Sequence, residues 1–161
     1  MKTDTLVPLM RLSQYFPRTA RETEAGLTSA HALLVRSGMV HQISPGIWAL
    51  LPLGFKVLHA VHEIIYDEME RAGVLNVQMP VLQPRELWEK TGRWQKYIET
   101  KTMFTTNEYH YEAEYGLAPT AEEVMCAVAS VHTQSWRDLP YALHQIGLKF
   151  RDEIRPRLGL L

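Results

Sequence analysis

Cysteine is almost absent: Cys126 is the only one among 161 residues, so no disulfide closes within the chain. The seven histidines are scattered, and none stands at metal-ligand spacing from Cys126, so each reads as a surface or core histidine rather than a ligand. On its apolar segment Cys126 reads as a buried, reduced thiol, which points to a reducing compartment. Charge of one sign is also lacking. A net charge of −1 gives no overall pull toward nucleic acid. Long apolar runs are missing too; the stretch from Ile47 to Leu53 is short and broken by Pro52, so no bilayer-spanning segment is expected. The start carries Lys2 and Asp4 with no continuous apolar stretch before Arg11, unlike a signal peptide, and a cytoplasmic location is expected. There is no repeat, no low-complexity segment, no glycine-rich phosphate loop and no βαβ alternation. These absences argue against a doubly wound nucleotide fold. What is present is ordinary for one soluble globular domain: 46% hydrophobic and 22% charged residues.

Tyr141 to Glu153 alternates with period two and reads as a β-strand. Ile146, Leu148 and Phe150 fall on one face and suit a core, while Gln145, Gly147, Lys149, Arg151 and Glu153 fall on the other. Two readings fit that polar face, a solvated sheet surface or a site. Arg151 and Glu153 are two apart on a strand, so one site can use both, and a guanidinium offers forked donors to phosphate or carboxylate oxygens.

Gly54 to Ala72 places Val57, Leu58, Val61, Ile64, Ile65 and Met69 at the spacing of an amphipathic helix, with Lys56, His62, Glu63, Asp67 and Glu70 opposite. Gly73 is placed to end it. Leu75, Val77, Met79 and Val81 then alternate as a strand, and Pro80 suits an edge, an end or a bulge. In Leu117–Val124, Thr120 and Glu123 have capping-box spacing, and Val124, Met125, Val128 and Val131 continue as an apolar helical stripe. Glu122 has no part in that cap. Pro45-Gly46 is a turn signal between short apolar runs and predicts a hairpin. Met103–Thr105 and Tyr109–Tyr111 fit a pair of strands around Asn107-Glu108, with Glu112 and Glu114 solvated.

Phe150-Arg151-Asp152-Glu153 followed by the basic Arg155-Pro156-Arg157 loop resembles motif 2 of class II aminoacyl-tRNA synthetases, and the run from Lys149 to Leu161 resembles the bacterial-type prolyl-tRNA synthetases. Helix, glycine, strand and proline over about 54–82 resemble motif 1. Residues 118–123 resemble the Thr-x-Glu loop of the same family, with Ala118 and Ala121 where the family usually has glycine and histidine. Leu12–Phe16, His31–Val40, Ser44–Gly54 and then Trp88, Gly92, Arg93 and Trp94 follow in the family's order. The resemblance spans roughly Leu12 to Leu161.

The resemblance implies an α/β fold of α+β type, the class II catalytic core, with a largely antiparallel sheet flanked by helices. It implies an incomplete core that ends inside motif 2 (about 141–161), without motif 3, the editing insertion or the anticodon-binding domain. The implied activity is proline–tRNA ligation: ATP, with Mg2+ as its complex, activates proline to prolyl-adenylate, and the prolyl group passes to tRNA-Pro. Arg151 is then the catalytic residue on the α-phosphate and the proline carboxylate, Glu153 helps hold ATP, and Thr120 and Glu122 bind proline. A carboxylate suits the secondary ammonium of proline, a cation with two donors. Motif 1 implies a homodimer or association with a full-length synthetase. By itself the 161-residue chain is expected to be inactive in aminoacylation. Two alternatives stand beside this: a non-catalytic dimerising module, and a class II synthetase for threonine or serine.

Overall fold

The computed structural model describes residues 11–22, 29–107 and 113–153. Two compact units divide at Val61, inside the long second helix. In the first, a 3-10 turn at Leu12–Gln14 precedes α1 (Ser29–Arg36). Strands β1 (Val40–Ser44) and β2 (Ile47–Leu50) then pair antiparallel, with Val40 opposite Leu50. The predicted hairpin is there, and Gly46 at φ +77° supplies the left-handed residue that a Pro-Gly turn requires. His31 is buried with its ring edge-on to Trp48, the centroids 4.4 Å apart, a core histidine.

Helix α2 runs from Pro52 to Arg71, close to the predicted span. It stops because Gly73 adopts φ +74°, which lets the Val74 N–H reach the Met69 carbonyl (3.0 Å) and the Gly73 N–H reach that of Glu70 (2.9 Å). These two bonds are the Schellman termination, and they satisfy carbonyls the helix would otherwise leave open.

The second unit follows. Its elements are β3 (Leu75–Asn76), β4 (Leu82–Pro84), α3 (Arg85–Glu89), α4 (Arg93–Glu99), β5 (Thr105–Asn107), β6 (Glu114–Leu117), α5 (Glu122–His132), a 3-10 turn at Trp136–Asp138 and β7 (Leu143–His144). The order β4-β6-β5 is antiparallel throughout, whereas β3 and β7 pair in parallel. The mixed, mainly antiparallel architecture is as expected, but it is divided among small sheets.

Several local expectations are corrected. The strand from Leu75 to Val81 has a ladder only at Leu75–Asn76, because the Met79 N–H turns to the Gln145 side chain at 2.6 Å. Its alternation survives as burial, with Val77, Met79 and Val81 inward, although Leu75 is exposed. The predicted strand Tyr141–Glu153 is reduced to Leu143–His144. Beyond it, backbone bonds from Phe150 to Ala118 (3.0 Å) and from Asp152 to Thr102 (3.0 Å) anchor the segment singly, and among the described residues no strand lies beside 145–149. Leu148 is consequently 70% exposed, not in the core. Of the pair expected around Asn107-Glu108, the first strand lies at 105–107 and the second further on at 114–117; Glu112 and the 109–111 run fall outside the described residues. Glu114 is not merely solvated: it accepts from Arg85, which also reaches Glu89. These hydrogen bonds, Glu114's first, hold the Arg85 guanidinium above its usual range.

Two clusters form the interior of this unit. Met79, Ala121 and Val124 are covered by Val77, Leu87 and Met125; Trp88, Trp94 and Met103 are covered by Leu87, Tyr97 and Ile98. The α5 stripe is therefore buried only at its start, and Val128 and Val131 are exposed. Cys126 is exposed rather than buried, since it lies one turn after Glu122 on the polar face of α5.

Helix α4 ends on Lys101 at φ +52°, again with the Schellman pair of bonds, from Lys101 to Ile98 and from Thr102 to Tyr97 (3.0 Å each). A side chain in this conformation is strained. Lys101→Gly is expected to raise the unfolding free energy by about 0.5–1 kcal/mol in urea denaturation, and a decrease would refute the assignment.

Candidate functional site

The loop between β6 and α5 is pinned from both sides at Ala118. Its N–H donates to the Val81 carbonyl (2.8 Å), and its carbonyl accepts from the Phe150 N–H (3.0 Å). The second bond draws the segment bearing Arg151 alongside the loop bearing Thr120. Gln83, wholly buried, donates from Nε2 to the Thr120 carbonyl (3.3 Å), and Trp88 donates its indole N–H to Gln83 Oε1 (3.0 Å). Thr120 is thus held by the interior rather than by helix capping.

The capping-box reading does not hold. Helix α5 begins at Glu122 with Ala121 as its N-cap, and no side chain caps it. The Glu123 carboxylate turns instead to Arg93 on α4, and its side chain is 2% exposed. A buried carboxylate needs a cationic partner more than a helix end needs a neutral cap.

Thr120, Glu122 and Arg151 line one cavity of about 550 Å³, together with Arg93, Tyr97 and Pro119. That size is ordinary for a small-molecule site. The wall carries one carboxylate, Glu122, and two guanidinium groups. Arg151 Nη1 lies 3.7 Å from Glu153 Oε1, both side chains about half exposed, although the strand expected to put them on one face is not formed there. Glu153 itself does not line the cavity. Nor do Ala118 and Ala121, which are buried, Ala121 against Met79 and Val124. The alanines at these two positions are thus part of the interior behind the cavity.

Arg93, Tyr97 and Gln83 were not singled out as site residues from sequence. Arg93 and Tyr97 are four apart on α4 and share a face, with Arg93 Nη2 donating to the Tyr97 hydroxyl at 2.7 Å. That spacing was the available signal. Gln83 offered none beyond being a polar residue in an inward-facing register. Among the described residues no cluster of three or more histidine, cysteine, aspartate or glutamate side chains is placed to hold a metal ion. No described helix is long and apolar enough to cross a membrane.

No family model matches the chain. Curated relatives do. The proline–tRNA ligase of Stenotrophomonas maltophilia is 43% identical over 154 residues, and those of Solidesulfovibrio magneticus and Acaryochloris marina are 44% and 45% identical over 153 and 154 residues. Each match covers 94% of this chain and 26% of the relative, so the chain spans about a quarter of the length of the curated relatives it matches. Among solved structures, the RNA binding domain of threonyl-tRNA synthetase from Cryptosporidium parvum Iowa II superposes with a TM-score of 0.65 at 25% identity, over 72% of this chain and 29% of that one. The Giardia lamblia prolyl-tRNA synthetase in complex with prolyl-adenylate gives 0.63 at 25% identity, over 71% and 24%. Over nearly its whole length the chain is therefore similar to the proline–tRNA ligases, and it spans about a quarter of their length.

Proposed function

We propose that this chain carries the amino-acid half of a class II prolyl-tRNA synthetase active site. The observation that supports it is the meeting of Thr120, Glu122 and Arg151 in one cavity, although they come from a loop, a helix start and an extended segment. In this reading Glu122 and Thr120 hold the secondary ammonium of proline. Arg151 spans the proline carboxylate and the ATP α-phosphate, and Glu153 steadies the nucleotide. A carboxylate oxygen of proline attacks the α-phosphorus, the bond to the bridging oxygen of the β-phosphate breaks, and pyrophosphate leaves with its Mg2+. The developing charge at the α-phosphate falls beside a fixed guanidinium, where positioning and charge stabilisation supply the rate. Transfer of the prolyl group to tRNA-Pro follows in the whole enzyme. The 118–123 loop and the 141–161 segment are the Thr-x-Glu loop and the first half of motif 2. Residues 54–82 are motif 1, and the exposed Val57, Val61 and Ile64 on α2 support a homodimer contact or association with a full-length synthetase. A cytoplasmic setting belongs to the same reading.

The test is amino-acid binding to the purified chain by ligand-observed NMR. L-proline is expected to bind more tightly than L-threonine or L-serine, and Glu122→Gln to weaken it by about tenfold, the loss of one charge-assisted hydrogen bond. Tighter binding of threonine or serine, or no proline binding, would refute the assignment.

A further inference from the structure

Glu122 and Glu123 are neighbours with opposite fates. Glu123 is buried and ion-paired with Arg93. Glu122 is exposed and lines the candidate cavity, and it has no ion-pair partner among the described residues. A second cavity of about 380 Å³ lies between α3, the start of α4 and α5. Only Arg93 and Glu122 line both cavities, so a guanidinium and the carboxylate that the proposed site needs free face the same two spaces.

An unengaged arginine lining the same spaces as Glu122 would compete for its carboxylate, since a guanidinium offers forked donors. Several contacts prevent it. One Nη donates to Glu123 and the other to the Tyr97 hydroxyl, while the guanidinium lies over the Trp88 and Tyr97 rings at 5.6 and 5.2 Å from their centroids. We infer that Glu123 is a positioning residue that holds Arg93 away from Glu122, keeping Glu122 available to the cationic amino group of a ligand. The inference rests on the proposed amino-acid site and adds to it a device for keeping a carboxylate free beside a potential competitor. It differs from a plain structural ion pair in one respect. If Glu123 only stabilised the fold, a Glu123 variant that is still folded would bind L-proline as the parent does.

Glu123→Met removes the acceptor and roughly keeps the volume; Glu123→Met with Arg93→Met replaces the whole pair by apolar side chains, a change buried pairs commonly tolerate. L-proline binding by the single variant, measured where urea denaturation shows it still folded, is expected to weaken by about tenfold or more, and the double variant is expected to bind more tightly than the single one. Equal weakness in both, or no weakening in the single variant, would overturn the inference. A crystal structure of Glu123→Met gives an independent reading, with Arg93 expected within hydrogen-bond distance of Glu122; Arg93 found elsewhere would overturn the inference. Should the parent chain bind no proline, the amino-acid site itself fails, and this structure alone still decides where Arg93 goes. If Glu123→Met does not fold, Glu123→Gln, which keeps an acceptor but loses the charge, is read in the same two ways with a smaller loss.

Discussion

Gln83→Leu is expected to lower the unfolding free energy by about 1–3 kcal/mol, since the buried Trp88 indole loses its acceptor and the half-buried Thr120 carbonyl loses a donor. The Gln83 amide is wholly buried, accepts from the Trp88 indole at 3.0 Å and donates to the Thr120 carbonyl at 3.3 Å. Leucine fits the volume but answers neither group. The added apolar burial offsets only part of the loss, because an indole N–H sealed from water has no alternative acceptor. Urea denaturation followed by tryptophan fluorescence checks the magnitude. The mechanism is checked by adding Trp88→Phe, which removes the orphaned N–H and should recover part of the loss. A destabilisation below about 1 kcal/mol would mean that the amide is not the link between the interior and the Thr120 loop.

Gly54→Ala is expected to destabilise the first unit by about 2–3 kcal/mol, the range for forcing an extra carbon into a filled site. Helix propensity argues the other way, since alanine is favoured over glycine inside a helix by about 1 kcal/mol. The overlap decides the sign: a Cβ on Gly54 would lie 2.1 Å from the Met39 carbonyl oxygen and 2.9 Å from its carbon. Both are backbone atoms, and that oxygen already accepts from the Leu51 N–H at 2.9 Å. No rotamer change relieves the contact, so α2 or the chain at Met39 must shift. Thermal unfolding of the variant beside the parent tests this; a higher midpoint would show that the approach is looser than described.

Elements held by near neighbours were the legible ones. Helix α2 follows its apolar spacing, and Gly73 ends it where the sequence places the stop, because both causes act within one or two turns of chain. The hairpin at Pro45-Gly46 is of the same kind. Period two in Tyr141–Glu153 was a weaker guide, since alternation specifies a pleated strand only where a neighbour supplies a ladder. Here β7 pairs for two residues, and the rest is held at Phe150 and Asp152. For Cys126 the apolar stripe misled, as the helix face bearing Glu122 also bears residue 126.

Residue type and local spacing determined helix α2, the helical stripe of α5, the turn residues and the pair Arg151 and Glu153, two apart in an alternating run; Thr120 and Glu122 became candidates through the family resemblance alone, because local spacing pointed to a cap at Thr120. Only the tertiary structure decided that Thr120, Glu122 and Arg151 share a cavity while Glu153 stands at its margin. It also decided that Glu123, one residue from Glu122 and a plausible cap, is an interior ion-pair partner. The physical reason is that a carboxylate's surroundings are set by groups far away in the chain. Arg93 reaches Glu123 only because α4 packs with Trp88 and Met103, and Arg151 reaches the Thr120 loop only because Phe150 bonds to Ala118.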